Sequence, residues 1–157
     1  MSDLINHIEA VKKFKLGAGQ SVPDAKVDPS RAEKITCVRL MIEEVLEMAT
    51  ALGVDILVPS ENDGPPKYIN GPSNFMYDVV DGANLTEVLD AAVDIMWVGV
   101  TGPLVLCGIS DKLPTALNAV DQNNLLKLAN GRKCPETGKF IKPENHPKVD
   151  LKSIVNS

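Results

Sequence analysis

From Ala91 to Ile109 the chain is apolar almost without a break. Such a run belongs either in a bilayer or at the centre of a helical protein. Three features favour the protein interior. Asp94 sits one turn from its start, Gly102-Pro103 interrupts its middle, and it continues without a break from a turn bearing Glu87 and Asp90. A carboxylate at bilayer depth is costly, whereas a bundle can give it partners. The run therefore predicts a buried central helix, and with it an all-α fold that needs neighbouring helices on most of its faces.

The rest of the chain supplies those neighbours. Residues 3–15 read as a short helix with Leu4, Ile5, Ile8, Val11 and Phe14 on one side. Residues 17–29 form a Gly- and Pro-containing loop. A long helix over 30–52 opens at Pro29-Ser30, keeps 3.6 periodicity through Ile35, Val38, Met41, Ile42, Val45, Met48, Ala49 and Leu52, and stops at Gly53. Residues 54–82 read as an irregular insertion in which Tyr68, Phe75 and Tyr77 either pack the loop or line a base pocket. The central helix spans 84–107, capped by Asn84 or Thr86 and ended by Gly108. A further helix covers 112–129 with Pro114 in its first turn. The tail, 130–157, reads as turns or a short hairpin around Glu136-Thr137-Gly138. The expectation is a single domain, residues 1–157, built as a bundle of about four helices with an irregular C-terminal tail.

Aromatic residues make up only 4% of the chain, so the core must be built from Leu, Val, Ile, Met and Ala. The net charge of −5 argues against a general nucleic-acid binder, which presents a basic face. The charge is uneven: from Lys127 onward seven basic residues face three acidic ones, leaving an acidic body and a basic tail. That division suits metal cations and a polyanion held together, and equally an ordinary solvated asymmetry. Cys37, Cys107 and Cys134 are widely spaced and form no metal pattern, as expected of reduced thiols in the cytoplasm. The N-terminal segment carries acids and is not expected to be a signal peptide.

The chemistry lies in the acids. Glu43, Glu44 and Glu47 fall at roughly 0°, 100° and 40° around their helix, one arc beside the apolar stripe. Carboxylates crowded against a core repel one another and lose hydration. A hard divalent cation such as Mg²⁺ or Mn²⁺ relieves that cost through oxygen ligands. Glu-Glu-x-x-Glu patches also occur on plain solvated faces. On the central helix Glu87, Asp90 and Asp94 lie within about 60° of one another, and Asp94 has apolar neighbours on both sides in sequence. Two acid clusters on two adjacent helices build a carboxylate cage; the plainer alternative pairs Asp94 with a lysine. The only histidines, His7 and His146, lie outside both helices, which disfavours a di-iron or zinc centre. Asn124 and Lys127 share a helical face, and an amide with an ammonium suits phosphate oxygens, although a lysine at a helix C-terminus also favours the dipole. Lys133, Lys139 and Lys142 extend the same cationic theme.

In this order, Arg39–Glu47, Glu87–Val98, Val120–Lys127 and the tail from Gly138 to Leu151 resemble the MazG-like, phosphoribosyl-ATP pyrophosphohydrolase-like superfamily of all-α NTP pyrophosphatases, over roughly residues 30–151. The tail is similar to that of a subgroup common in bacteria and phages. The resemblance implies two to three Mg²⁺ or Mn²⁺ ions held by Glu43, Glu44, Glu47, Asp90 and Asp94, with Glu87 as a further candidate. It implies Asn124 and Lys127 on the phosphates, tail lysines including Lys139 and Lys142 beside them, and a homodimer or homotetramer. The chain departs from the family in three places. The Glu47–Glu87 interval is long, the second acidic motif fits either as Glu87-x-x-Asp90 or as Asp90-x-x-x-Asp94, and Pro103 predicts a kink.

The expected activity is hydrolysis of a nucleoside triphosphate, with a purine NTP or dNTP favoured, to the monophosphate and pyrophosphate. Glu43, Glu44 and Glu47 are the catalytic candidates. The setting is the cytoplasm (of a host, for a phage-encoded chain), with no nucleic-acid or membrane partner. Nucleotide-pool cleansing and phage-type pool remodelling both fit. The competing expectations are a catalytically silent nucleotide-binding protein and a purely structural helical oligomer.

Overall fold

The computed structural model describes residues 2–57, 76–129, 131–136 and 138–157. The chain is mainly helical and divides into two compact units: residues 28–103 form one, and residues 1–27 with 104–157 form the other.

Helix α1 (Ser2–Gly17) belongs to the second of these units, and the 28–103 unit begins with α2 (Arg31–Ala51). Ser30 caps α2 in a capping box. Its hydroxyl accepts from the Glu33 N–H at 3.3 Å, and the Glu33 carboxylate accepts from the Ser30 N–H at 2.9 Å. These bonds satisfy donors that the first turn leaves without partners. Beyond Leu52, Gly53 adopts a positive φ of 71°, and a side chain there would overlap the Asp81 carbonyl.

The irregular stretch expected over 54–82 is corrected at its ends. Strands β1 (Val54–Leu57) and β2 (Met76–Val79) pair antiparallel, with Asp55 opposite Asp78 and Ile56 opposite Tyr77. The β-branched and aromatic residues of these segments suit a ladder. Tyr68 and Phe75 lie outside the described residues. Asn84 caps α3 (Leu85–Asp94), its side chain accepting from the Thr86 and Glu87 N–H groups. The helical path continues through a π-helical stretch (Ile95–Thr101) into α4 (Gly102–Leu106). The π register ends as the Gly102 N–H donates to the Trp97 carbonyl, immediately before Pro103. Pro103 lacks an N–H and its ring would strike the carbonyl four residues back; the widened turn is where the disturbance expected there is taken up. The whole run Leu85–Leu106 is long and apolar enough to cross a membrane by length and composition, but α2 packs along α3 and the π stretch.

In the second unit, Ile8 and Val11 of α1 are buried, whereas Ile5 and Phe14 are exposed, so the buried side of α1 is narrower than its apolar pattern. Val105, Leu106 and Leu113 complete this core. Gly108, at φ 67°, ends α4 where the chain passes the Ala25 carbonyl. A 3₁₀ turn (Ser110–Lys112) leads into α5 (Leu113–Leu126), with Pro114 in its first turn, and a second 3₁₀ turn (Lys127–Ala129) ends it. The tail holds a hairpin, β3 (Arg132–Lys133) against β4 (Phe140–Ile141). It also holds α6 (Leu151–Asn156), a correction to the irregular tail expected. Asp150 caps α6 by accepting from the Ser153 N–H at 3.0 Å and hydroxyl at 2.6 Å, and these bonds hold its carboxyl below the usual range.

Gly53→Ala is expected to lower stability by at least about 1–3 kcal/mol, because it forces a left-handed backbone on a residue with a side chain. Gly82→Ala, where nothing lies within 4 Å of the added methyl, should change it little. Urea unfolding of both variants against the parent checks this.

Candidate functional site

On α2 two stripes run side by side. Cys37, Met41, Glu44 and Met48 are half-buried and Ala51 is buried, at the three- and four-residue spacing of one helical face. The neighbouring stripe, Ile35, Val38, Ile42, Val45 and Leu52, is exposed. Glu44 therefore stands in the less exposed stripe of a helix that packs on α3, while Glu43 and Glu47 stand at the solvent side. On α3, Asp94 is half-buried beside buried Ala91, and Asp90 and Glu87 are exposed.

The electrostatics tie the two helices together. The Glu44 carboxyl is held above the usual carboxylate range, first by its loss of water and then by the fields of Glu47, Asp94, Glu43 and Asp90, in that order. Five of the six expected acids thus act within one neighbourhood. Glu87 is absent from that set and lies in the first turn of α3, where a carboxylate favours the helix dipole. Glu44 Oε2 is covered by protein and has no hydrogen-bond partner among the described residues. The ion pairs among the described residues, Lys12–Glu9, Lys34–Asp28 and Lys112–Asp111, include none of these acids. In particular they give Asp94 no lysine. Yet among the described residues no three Asp, Glu, His or Cys side chains converge as ligands of one metal ion.

The donors are nonetheless all of the type a hard cation prefers. They are carboxylate oxygens, and an orphaned carboxylate oxygen inside a negative field lacks the positive partner that burial of a charge requires.

The phosphate-binding candidates belong to the other unit. Lys127 donates its ammonium to the Asn124 side-chain oxygen, so the two do share a face of α5 and its 3₁₀ extension. Lys133 lies on β3, and Lys139 and Lys142 flank β4; all three are exposed. A contact that the sequence did not suggest joins α5 to the tail. Asn123 donates to the Pro147 carbonyl at 2.8 Å, and its oxygen meets His146 Nε2 at 2.8 Å. Asn123 is half-buried, which the sequence did not show. Tyr77, a candidate for a base pocket, is exposed on β2.

Compared with known proteins, the chain matches no family model and no curated relative.

A carboxyl whose folded-state pKa is raised contributes stability while protonated and loses it as pH rises through the raised value. Without metal, the melting temperature should therefore carry a Glu44-dependent fall as pH rises above the ordinary glutamate value of 4.5. Glu44→Gln should remove that fall and raise the neutral-pH melting temperature. Added Mn²⁺ should stabilise the parent and leave Glu44→Gln nearly unmoved. Paired thermal melts across pH, with and without metal, check both expectations.

Proposed function

We propose that the protein is a metal-dependent nucleoside triphosphate pyrophosphohydrolase of the MazG-like, all-α kind. The observation that carries this reading is Glu44 Oε2, covered and without a hydrogen-bond partner among the described residues, set among four further carboxylates drawn from two packed helices. Acids are placed at such density against an apolar helix pair at a cost, and a bound divalent cation removes it.

In this reading Glu43, Glu44, Glu47, Asp90 and Asp94 hold Mg²⁺ or Mn²⁺, with Glu87 as an outer candidate. When bound, the ions supply neutralisation of the triphosphate charge and a more acidic water. Water attacks an inner phosphorus, the adjoining anhydride bond breaks, and pyrophosphate departs with the bond's electron pair. Glu44 or Glu47 accepts the water's proton, since both lie in the acid cluster and carboxylates serve as general bases. Asn124 and Lys127 bind phosphate oxygens, joined by Lys139 and Lys142 from the tail. A purine NTP or dNTP in the cytoplasm is the substrate favoured, for pool cleansing or phage-type remodelling.

The protein works as a homodimer or homotetramer of a helical bundle. The support is the uncovered apolar stripe of α2 together with Leu85, Leu89 and Val93 on α3 and Met96 on the π stretch, all exposed in the single chain. A second copy covering these faces accounts for the apolar run without a membrane. The absence of converged metal ligands among the described residues favours one alternative, a silent nucleotide-binding protein that keeps the bundle and has lost turnover.

Canonical and modified NTPs and dNTPs, offered with Mn²⁺ and then Mg²⁺ and scored for pyrophosphate against orthophosphate, test the activity. Pyrophosphate and monophosphate from one base support it. Asp94→Ala should then lose at least about 10²-fold in kcat, the scale of a general acid–base or charge-stabilising group, with the fold retained by circular dichroism. Metal binding with no pyrophosphate from any triphosphate moves the reading to the silent protein. Ile42→Glu combined with Val93→Glu should shift the sedimentation coefficient to that of the monomer; an unchanged oligomer shows that these faces are not the interface.

A further inference from the structure

The tail from Gly131 to Pro147 is fastened at both ends to little more than one turn of α5 and its extension. At its start, the Gly131 N–H donates to the Lys127 carbonyl at 2.8 Å, and a side chain at Gly131 would overlap the Phe140 ring, the Lys127 carbonyl and the Ile141 carbonyl. The β3–β4 hairpin thus folds back on the turn that bears Lys127. At its end, a turn closed by the His146 N–H to the Pro143 carbonyl (3.1 Å) presents His146 and Pro147 to Asn123. Asn123 uses its whole amide here. Because Nδ2 donates to the Pro147 carbonyl, Oδ1 is left to accept, and His146 Nε2 carries the proton it donates. Asn123 precedes Asn124, and Lys127 is one turn on, so both fastenings bracket the Asn124–Lys127 pair.

Between the two fastenings the tail carries Lys133, Lys139 and Lys142, with Glu136 and Glu144 as its acids. Lysine ammonium groups on a free tail lose conformational entropy each time they gather round an anion. Closing the tail on one helical turn prepays part of that ordering in the folded state.

We propose that Asn123 and His146 are positioning residues that hold this lysine-bearing hairpin to the Asn124–Lys127 turn, so that the two together form one site for a triphosphate chain. The proposal rests on the reading of Asn124 and Lys127 as phosphate-binding groups. Neither Asn123 nor His146 touches the reacting atoms; both act through the placement of the cations.

The test is calorimetric titration of the full-length protein with inorganic tripolyphosphate, free of metal. His146→Phe removes the donor to Asn123 and should weaken binding roughly five- to tenfold, the effect of one lost hydrogen bond. Asn123→Ala, which also removes the bond to the Pro147 carbonyl, should weaken binding at least as much. His146→Gln keeps an N–H donor of similar reach and should restore binding to within about twofold of the parent; a role in packing alone gives no such rescue. Where His146→Phe fails to fold, Asn123→Ala and His146→Gln decide the matter. A parent that binds tripolyphosphate while Asn123→Ala and His146→Phe bind it equally well overturns the positioning role and leaves the phosphate site standing. A parent that does not bind it at all overturns both. A response to His146 in a protein that hydrolyses no nucleotide keeps the positioning role and rejects the hydrolase.

Discussion

Where α2 lies along α3, the Glu44 carboxyl loses water at Oε2 without gaining a hydrogen-bond donor among the described residues, and four other carboxylates push against its ionisation. Much else in the 28–103 unit follows from accommodating that contact. The stripe of α2 that holds Glu44 is otherwise Cys37, Met41, Met48 and Ala51, side chains that pack closely without supplying cations. Asp94 extends the acid cluster from the opposite helix. An apolar residue at position 44 would pack there at no electrostatic cost.

The surrounding elements hold those two helices firmly at their ends. Ser30 and Glu33 close the start of α2, and Gly53 turns the chain into the β1–β2 ribbon, where Asp81 passes too close for any side chain. Asn84 then restarts helix three residues after Asp81. Glu43, Glu44 and Glu47 therefore sit inside α2, away from its capped start, and Asp90 and Asp94 stand where α3 continues into the π stretch, not on a free end. This is the kind of rigid support that a site needing defined charge positions requires.

The 1–27 and 104–157 unit shows a different economy. Its apolar core is small, and polar ties do much of the fastening. Lys26 donates to the Asn156 side chain, Lys112 donates to the Ser157 carbonyl oxygen, and Asn123 joins His146 and Pro147. These four bonds, two of them made by Asn123, are exposed or half-buried and contribute modestly, about 0.5–1.5 kcal/mol each. Their value lies in direction: they fix where a lysine-rich tail runs.

Local features of the chain were legible from residue types alone, because they depend on neighbours within one helical turn. The capping serine at 30, the asparagine at 84, the stop glycines at 53 and 108 and the proline opening α5 all stand where the pattern put them. The mainly helical character and the grouping of acids on α2 and α3 follow from the same short-range periodicity. What the pattern could not settle was which of two adjacent apolar stripes on α2 faces its neighbour. The wider one, through Val38, Ile42 and Val45, is exposed, and the one containing Glu44 is the more covered. Nor could it give the π-helical path before Pro103, the β1–β2 ladder, the α6 turn, or the Asn123–His146 bond across 23 residues. Helix propensity, capping and periodicity are properties of a few consecutive residues and are written in the sequence. The partner of a face or of a distant polar group is set by packing between segments far apart in the chain, and only the tertiary structure decides it.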